Sequence, residues 1–70
     1  MVEFKIKVYE DQRLAYIPKE VVETLGTRLK MKPDQYAAVI YPEGAKLDLV
    51  VRSVEIILEY LKLKEVKVDG

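Results

Sequence analysis

The sequence predicts a mostly β fold with short helices, ordered strand, strand, helix, strand, strand and closed by a C-terminal helix. Three stretches carry this prediction. In residues 2–9, Val2, Phe4, Ile6 and Val8 alternate with Glu3, Lys5 and Lys7, the period-two pattern of a strand with one buried face. Residues 13–26 read as a short strand running straight into a two-turn helix, with Pro18 at the join and Gly26 at the stop. In residues 54–63, Val54, Ile57, Leu58 and Leu61 recur at i, i+3, i+4 and i+7, the spacing of a helix face.

Taken in order, the first strand gives way to a polar turn at Glu10, Asp11 and Gln12, and residues 13–17 return as its hairpin partner. Ala15 and Ile17 share one face and Leu14 and Tyr16 the other, so both faces need cover, which points to a second protomer. Pro18 starts the helix at low cost: it lacks an N–H that the first turn leaves unbonded anyway, and its φ is already helical. Gly26 supplies the left-handed residue that closes it. Ile17, Val21, Val22 and Leu25 form the apolar side, opposite Lys19, Glu20 and Glu23. Two turns are marginal in water, so packing must hold this helix.

After it comes a basic, alternating stretch, residues 27–32, closed by turn chemistry at Pro33 and Asp34. Residues 36–41 and 46–51 read as a second hairpin about a turn at Pro42, Glu43 and Gly44. Ser53 offers an N-cap, and a helix follows over residues 54–63. Its other side carries Ile56, Tyr60 and Leu63, leaving Glu55, Glu59 and Lys62 as a narrow wet stripe; such a helix is buried on two sides. Residues 64–68 read as a frayed end or a short edge strand.

Seventy residues, half of them hydrophobic, make one domain with more apolar surface than so small a monomer hides, since a chain of this size buries only about 60% of its unfolded surface. Cysteine and histidine are absent, so neither disulfides nor a zinc clip can staple it. A homodimer is the expected remedy. The sequence presents no secretory segment and no apolar run of about 18 residues, so a cytoplasmic location and no membrane partner are expected. Abundant Lys and Glu with almost no amide side chains is the bias of a protein from a hot environment.

Catalysis is not expected. Without histidine or cysteine there is no imidazole base, thiolate or Ser–His pair, the carboxylate pairs Glu10/Asp11 and Glu20/Glu23 lie on solvated surface, and the glycines stand alone rather than in a phosphate loop. No cofactor or metal is expected. Tyrosines 9, 16, 36, 41 and 60 read as core or interface packing before stacking platforms. Charge is more informative by segment: the whole chain is neutral, but residues 13–32 hold Arg13, Lys19, Arg28, Lys30 and Lys32 against Glu20 and Glu23. With Lys5 and Lys7 these form a candidate phosphate-contacting face, against the alternative of a merely solvated, paired surface.

The segment Arg13-Leu14-Ala15-Tyr16-Ile17-Pro18-Lys19-Glu20-Val21-Val22-Glu23-Thr24-Leu25-Gly26 resembles the "GRVxIPKExREKLG" segment of the AbrB-like swapped-hairpin domains, which include transition-state regulators and MazE-type antitoxins. The match is best over residues 17–26 and extends more weakly over residues 2–52. The resemblance implies a swapped-hairpin AbrB-like domain over residues 1–52, forming a small β-barrel dimer by exchange of hairpins, and a C-terminal helical extension, residues 53–70, packed on it. It further implies double-stranded DNA binding through Lys5, Lys7, Arg13, Lys19, Arg28, Lys30 and Lys32, and transcription regulation as the function. Leu14 stands where the family usually has arginine, and the chain ends in an apolar helix rather than an acidic tail. An antitoxin-like or other protein-interaction module using that helix, with a partner such as a toxin, is the alternative.

Overall fold

The computed structural model describes residues 2–69, with side chains described for residues 2–64; Met1 and Gly70 lie outside the described residues. The chain forms β1 (Val8–Tyr9), β2 (Leu14–Ala15), α1 (Lys19–Leu25), β3 (Leu29–Pro33), β4 (Ala38–Pro42) and α2 (Leu47–Asp69). β1 pairs antiparallel with β2 and β3 with β4, giving two separate two-stranded sheets. This is a mixed α/β chain rather than a mostly β one, because its two helices span seven and 23 residues against strands of two to five.

The first hairpin falls where the sequence puts it but is much shorter. The register places Val8 opposite Ala15 and Tyr9 opposite Leu14. Extended outward, that register would bring Pro18 opposite Lys5 within three more residues, and Pro18 has no N–H to donate. The chain turns into α1 at that point, and the alternating residues 2–7 find no strand partner among the described residues.

α1 follows its local signals. Pro18 caps it with φ −54°, and its carbonyl accepts the Val21 and Val22 N–H groups at 3.0 and 3.2 Å. At the other end Gly26, φ 86° and ψ −167°, donates its N–H to the Val22 carbonyl at 2.8 Å. That conformation is nearly exclusive to glycine. Of the expected apolar face Val21, Val22 and Leu25 are half-buried, with Glu20, Glu23 and Lys19 exposed, whereas Ile17 precedes the helix and is 36% exposed.

The second hairpin differs from expectation. β4 pairs not with residues 46–51 but with the preceding basic stretch, in the register Leu29 to Pro42, Lys30 to Tyr41, Met31 to Ile40, Lys32 to Val39 and Pro33 to Ala38. Both prolines sit at strand ends, where a missing N–H is tolerated. The turn lies between Asp34 and Ala37, closed by the Asp34 N–H on the Ala37 carbonyl at 2.7 Å. The turn at residues 42–44 also forms, with Gly44 at φ 82° and the Ala45 N–H on the Pro42 carbonyl at 3.1 Å, but it leads into a helix.

Residues 46–51 are therefore not a strand. Leu47, Leu49 and Val51 fit period two, yet Leu47, Val50, Val54, Ile57 and Leu61 fit a helical repeat over a far longer stretch, and the cooperative helix takes the segment. The expected N-cap Ser53 lies inside α2, as does the division between residues 52 and 53, and residues 64–68 continue the helix rather than forming an edge strand. Among the described residues, no helix is long and apolar enough to cross a membrane.

Very little of this chain is covered. Tyr41, at 9% exposure, is the single buried hydrophobic side chain among the described residues. The chain exposes 7059 Å², whereas a compact monomer of 8.1 kDa exposes about 4,500 Å². Its radius of gyration is 13.8 Å against about 11 Å for a compact domain of this length.

Candidate nucleic-acid interface

The basic residues fall into two groups set by the two hairpins. In the first, residues 10–13 form the turn between β1 and β2, held by the Gln12 N–H on the Tyr9 carbonyl and the Arg13 N–H on the Glu10 carbonyl, both at 3.2 Å. Arg13 ends that turn with φ 54°, a left-handed conformation that costs a residue with a Cβ about 1–2 kcal/mol. It therefore belongs to the turn rather than to β2. Lys5 and Lys7 lie on the exposed segment leading into β1.

This hairpin also gathers aromatic rings. The Lys7 ammonium stands 5.5 Å from the centre of the Tyr9 ring, within cation–π range. Tyr9 meets Tyr16 edge to face, with centroids 6.0 Å apart and planes at 84°. Tyr16 nevertheless stays 84% exposed, so within one chain it is not core. The Lys7 and Tyr9 pairing follows from the shared face of alternating strand positions, but the Tyr9–Tyr16 contact depends on hairpin register, which composition does not reveal.

The second group is carried by β3. Lys30 and Lys32 share one face, level with Tyr41 and Val39 on the neighbouring strand, while Met31 points to the other. Arg28 precedes them, its carbonyl accepting the Glu43 N–H at 2.9 Å, which fixes the backbone but leaves the guanidinium exposed. The basic, alternating stretch of the sequence is thus a strand, with Lys30 and Lys32 on one face.

The ion pairs separate available cations from engaged ones. Lys19 lies 3.7 Å from Glu23 one helical turn on, Lys62 lies 3.9 Å from Glu59, and Lys64 reaches both oxygens of Glu3 at 2.8 and 3.0 Å. The Lys64 hydrogen bond and charge hold the Glu3 carboxyl below the usual carboxylate range, against a small opposing effect of desolvation. Among the described residues Lys5, Lys7, Arg13, Arg28, Lys30 and Lys32 make no ion pair; Lys19 is the predicted contact residue held in one, and Lys7 is engaged only by the Tyr9 ring. No group of three or more acidic side chains among the described residues is arranged to hold a metal ion.

A second surface has the opposite character. β4 and α2 flank an open groove of about 590 Å³, lined by β4 from Ala38 to Pro42 and, along α2, chiefly by Val50, Val54, Ile57 and Leu61. Its walls are almost wholly apolar.

Comparison with protein-family models, with curated proteins and with solved structures finds no match. The functional reading therefore stands on the residues and their geometry.

Proposed function

We propose that this protein is a dimeric DNA-binding regulator of transcription, cytoplasmic and of the AbrB-like swapped-hairpin type, that contacts DNA phosphates through basic faces. The observation carrying the proposal is that six of the seven predicted cations are exposed and make no ion pair among the described residues, on a chain that is neutral overall and whose anions in part engage other lysines. A two-fold axis doubles both basic groups. Phosphate contacts of this kind position a protein on duplex DNA, and sequence preference then comes from groove shape and deformability. Exchange of hairpins between protomers would give residues 2–7 the strand partner that a single chain lacks.

With three or four cations engaged per protomer, the slope of log K against log salt is about −5 to −7. A gel-shift series on duplex DNA across salt concentrations reads that slope. Replacing Arg28, Lys30 and Lys32 with glutamine should abolish binding at moderate salt. No binding by the unaltered protein at low salt removes the reading.

The second reading, a protein-interaction module acting through α2, is favoured by the apolar groove along that helix. The triple glutamine variant leaves that activity intact, and truncation after Arg52 removes it.

A further inference from the structure

Two tyrosines on the second hairpin end in opposite environments. Tyr41 is 9% exposed, whereas Tyr36 is 98% exposed, the highest value of any large hydrophobic side chain described. The register explains the difference. The ladder of β3 and β4 runs from the Leu29–Pro42 pair to the Pro33–Ala38 pair, and the Asp34 N–H on the Ala37 carbonyl closes it at 2.7 Å. Gln35 and Tyr36 are left as the two-residue turn at its end, so Tyr41 lies within the ladder and Tyr36 beyond it.

Most other exposed apolar side chains lie on a face that a further element can cover, as Val2, Phe4 and Ile6 do along the N-terminal segment. Tyr36 belongs to no such face: it stands in an exposed turn after Asp34 and Gln35. The turn does not call for it either, since glycine, asparagine, aspartate and proline are the residues that favour such bends. A ring that serves neither the core nor the turn is available for contact, the use to which exposed tyrosines are put at interfaces.

The strand that leads to this ring carries the cations. Lys30 and Lys32 stand one two-residue step, about 7 Å, apart on one face of β3, with Arg28 just before them. Between residues 28 and 42 Asp34 is the single carboxylate, and it lies at the turn. Charge therefore divides the hairpin, its stem attracting phosphate and its tip not. What the tip presents is an uncharged aromatic ring, which suits the sugars and base faces of nucleic acid.

We propose that Tyr36 is a DNA contact residue, packing its ring on a sugar or base beside the phosphates held by Arg28, Lys30 and Lys32. The proposal rests on the DNA-binding reading and adds to it a contact that phosphate charge does not supply.

The chain contains no tryptophan, so Tyr36→Trp places a single indole at the hairpin tip. Titration of that full-chain variant with a mixed-sequence duplex at low salt should change the indole emission and shield it from acrylamide. Tyr36→Ala should weaken binding about tenfold at every salt concentration with the salt slope unchanged, because an uncharged contact releases no counterion, while Lys32→Gln should flatten the slope by about two units for a dimer. Tyr36→Phe keeps the ring and should bind within twofold of the unaltered protein. Chemical denaturation of Tyr36→Ala should match the unaltered protein, since the ring is exposed. Unchanged indole emission on a bound duplex overturns the proposal, as does Tyr36→Ala binding within twofold of the unaltered protein, or losing its fold. A Tyr36→Phe loss as large as that of Tyr36→Ala overturns ring packing in favour of the hydroxyl. If the unaltered protein binds no duplex, the regulator reading falls and this contact with it; binding that ignores position 36 removes the contact alone.

Discussion

The first hairpin and the unit formed by β4 and α2 both leave much of their surface uncovered, but with different kinds of side chain. Around β1 and β2, Lys5, Lys7 and Arg13 stand exposed among Tyr9 and Tyr16 and the apolar Phe4, Ile6, Val8 and Leu14, held by turn hydrogen bonds and one aromatic contact. Along β4 and α2 the exposed surface is chiefly aliphatic, lining a groove whose wall includes Tyr41, the most buried hydrophobic side chain described. Cations exposed in water lose little by remaining so until a phosphate arrives, whereas apolar groups lose roughly 25 cal/mol for each Å² left wet. The cations of the first surface are thus suited to a transient partner, and the apolar groups of both surfaces to a permanent one.

The comparison is broken most severely at Tyr41. If the second unit is where the chain's stability resides, Tyr41→Ala should cost about 3–4 kcal/mol, by loss of a large buried side chain. Chemical denaturation at fixed protein concentration measures it, since association makes stability concentration-dependent. A loss below about 1 kcal/mol would mean that this unit contributes no more than the first.

Arg13 sharpens the other side. Its left-handed conformation is strained for arginine but free for glycine, which in turn loses more entropy on folding. Arg13→Gly should therefore raise stability by up to about 1 kcal/mol while weakening DNA binding and lowering the salt slope by about two units for a dimer. Gain in one measurement with loss in the other marks a residue retained for contact rather than for folding. Loss in both would assign Arg13 to the fold.

The smallest expected effect lies at the Lys64–Glu3 ion pair, which joins the N-terminal segment to α2. Lys64 depresses the Glu3 carboxyl, so the pair's contribution is present above the unfolded-state value and is lost as pH falls through the lower, folded one. Acidification from pH 6 to pH 3 should release residues 2–7, read as faster amide exchange in that segment, while the second hairpin is unchanged. Glu3→Gln should show the faster exchange already at pH 6.

Where local chemistry suffices, the sequence is legible. The hairpin at residues 8–15, the Pro18-to-Gly26 helix and the turn at residues 42–44 form where their residues demand, because proline, glycine and short polar turns act on their own backbone. The Lys19–Glu23 pair follows likewise from helical spacing. The exposure of the basic side chains is legible too, since charged groups stay wet by default. The contact between Glu3 and Lys64 is not, because 61 residues separate them and nothing local to either names the other.

Strand partnership also had to wait for the tertiary structure. β4 had two candidate partners of matching alternation, residues 29–33 and 46–51, and period two says which face a strand buries without saying what lies beside it. Over six residues a strand pattern and a helix pattern share Leu47, so the segment after Gly44 was settled by the longer helix of which it is the first turn. With that segment helical, β4 pairs with β3, and Lys30 and Lys32 of the alternating basic stretch fall on one face of a strand. The sequence by itself determined where this chain bends, which side chains stay wet and how much apolar surface it carries. The tertiary structure alone decided which segments meet, because pairing energy belongs to two stretches at once and is written in neither.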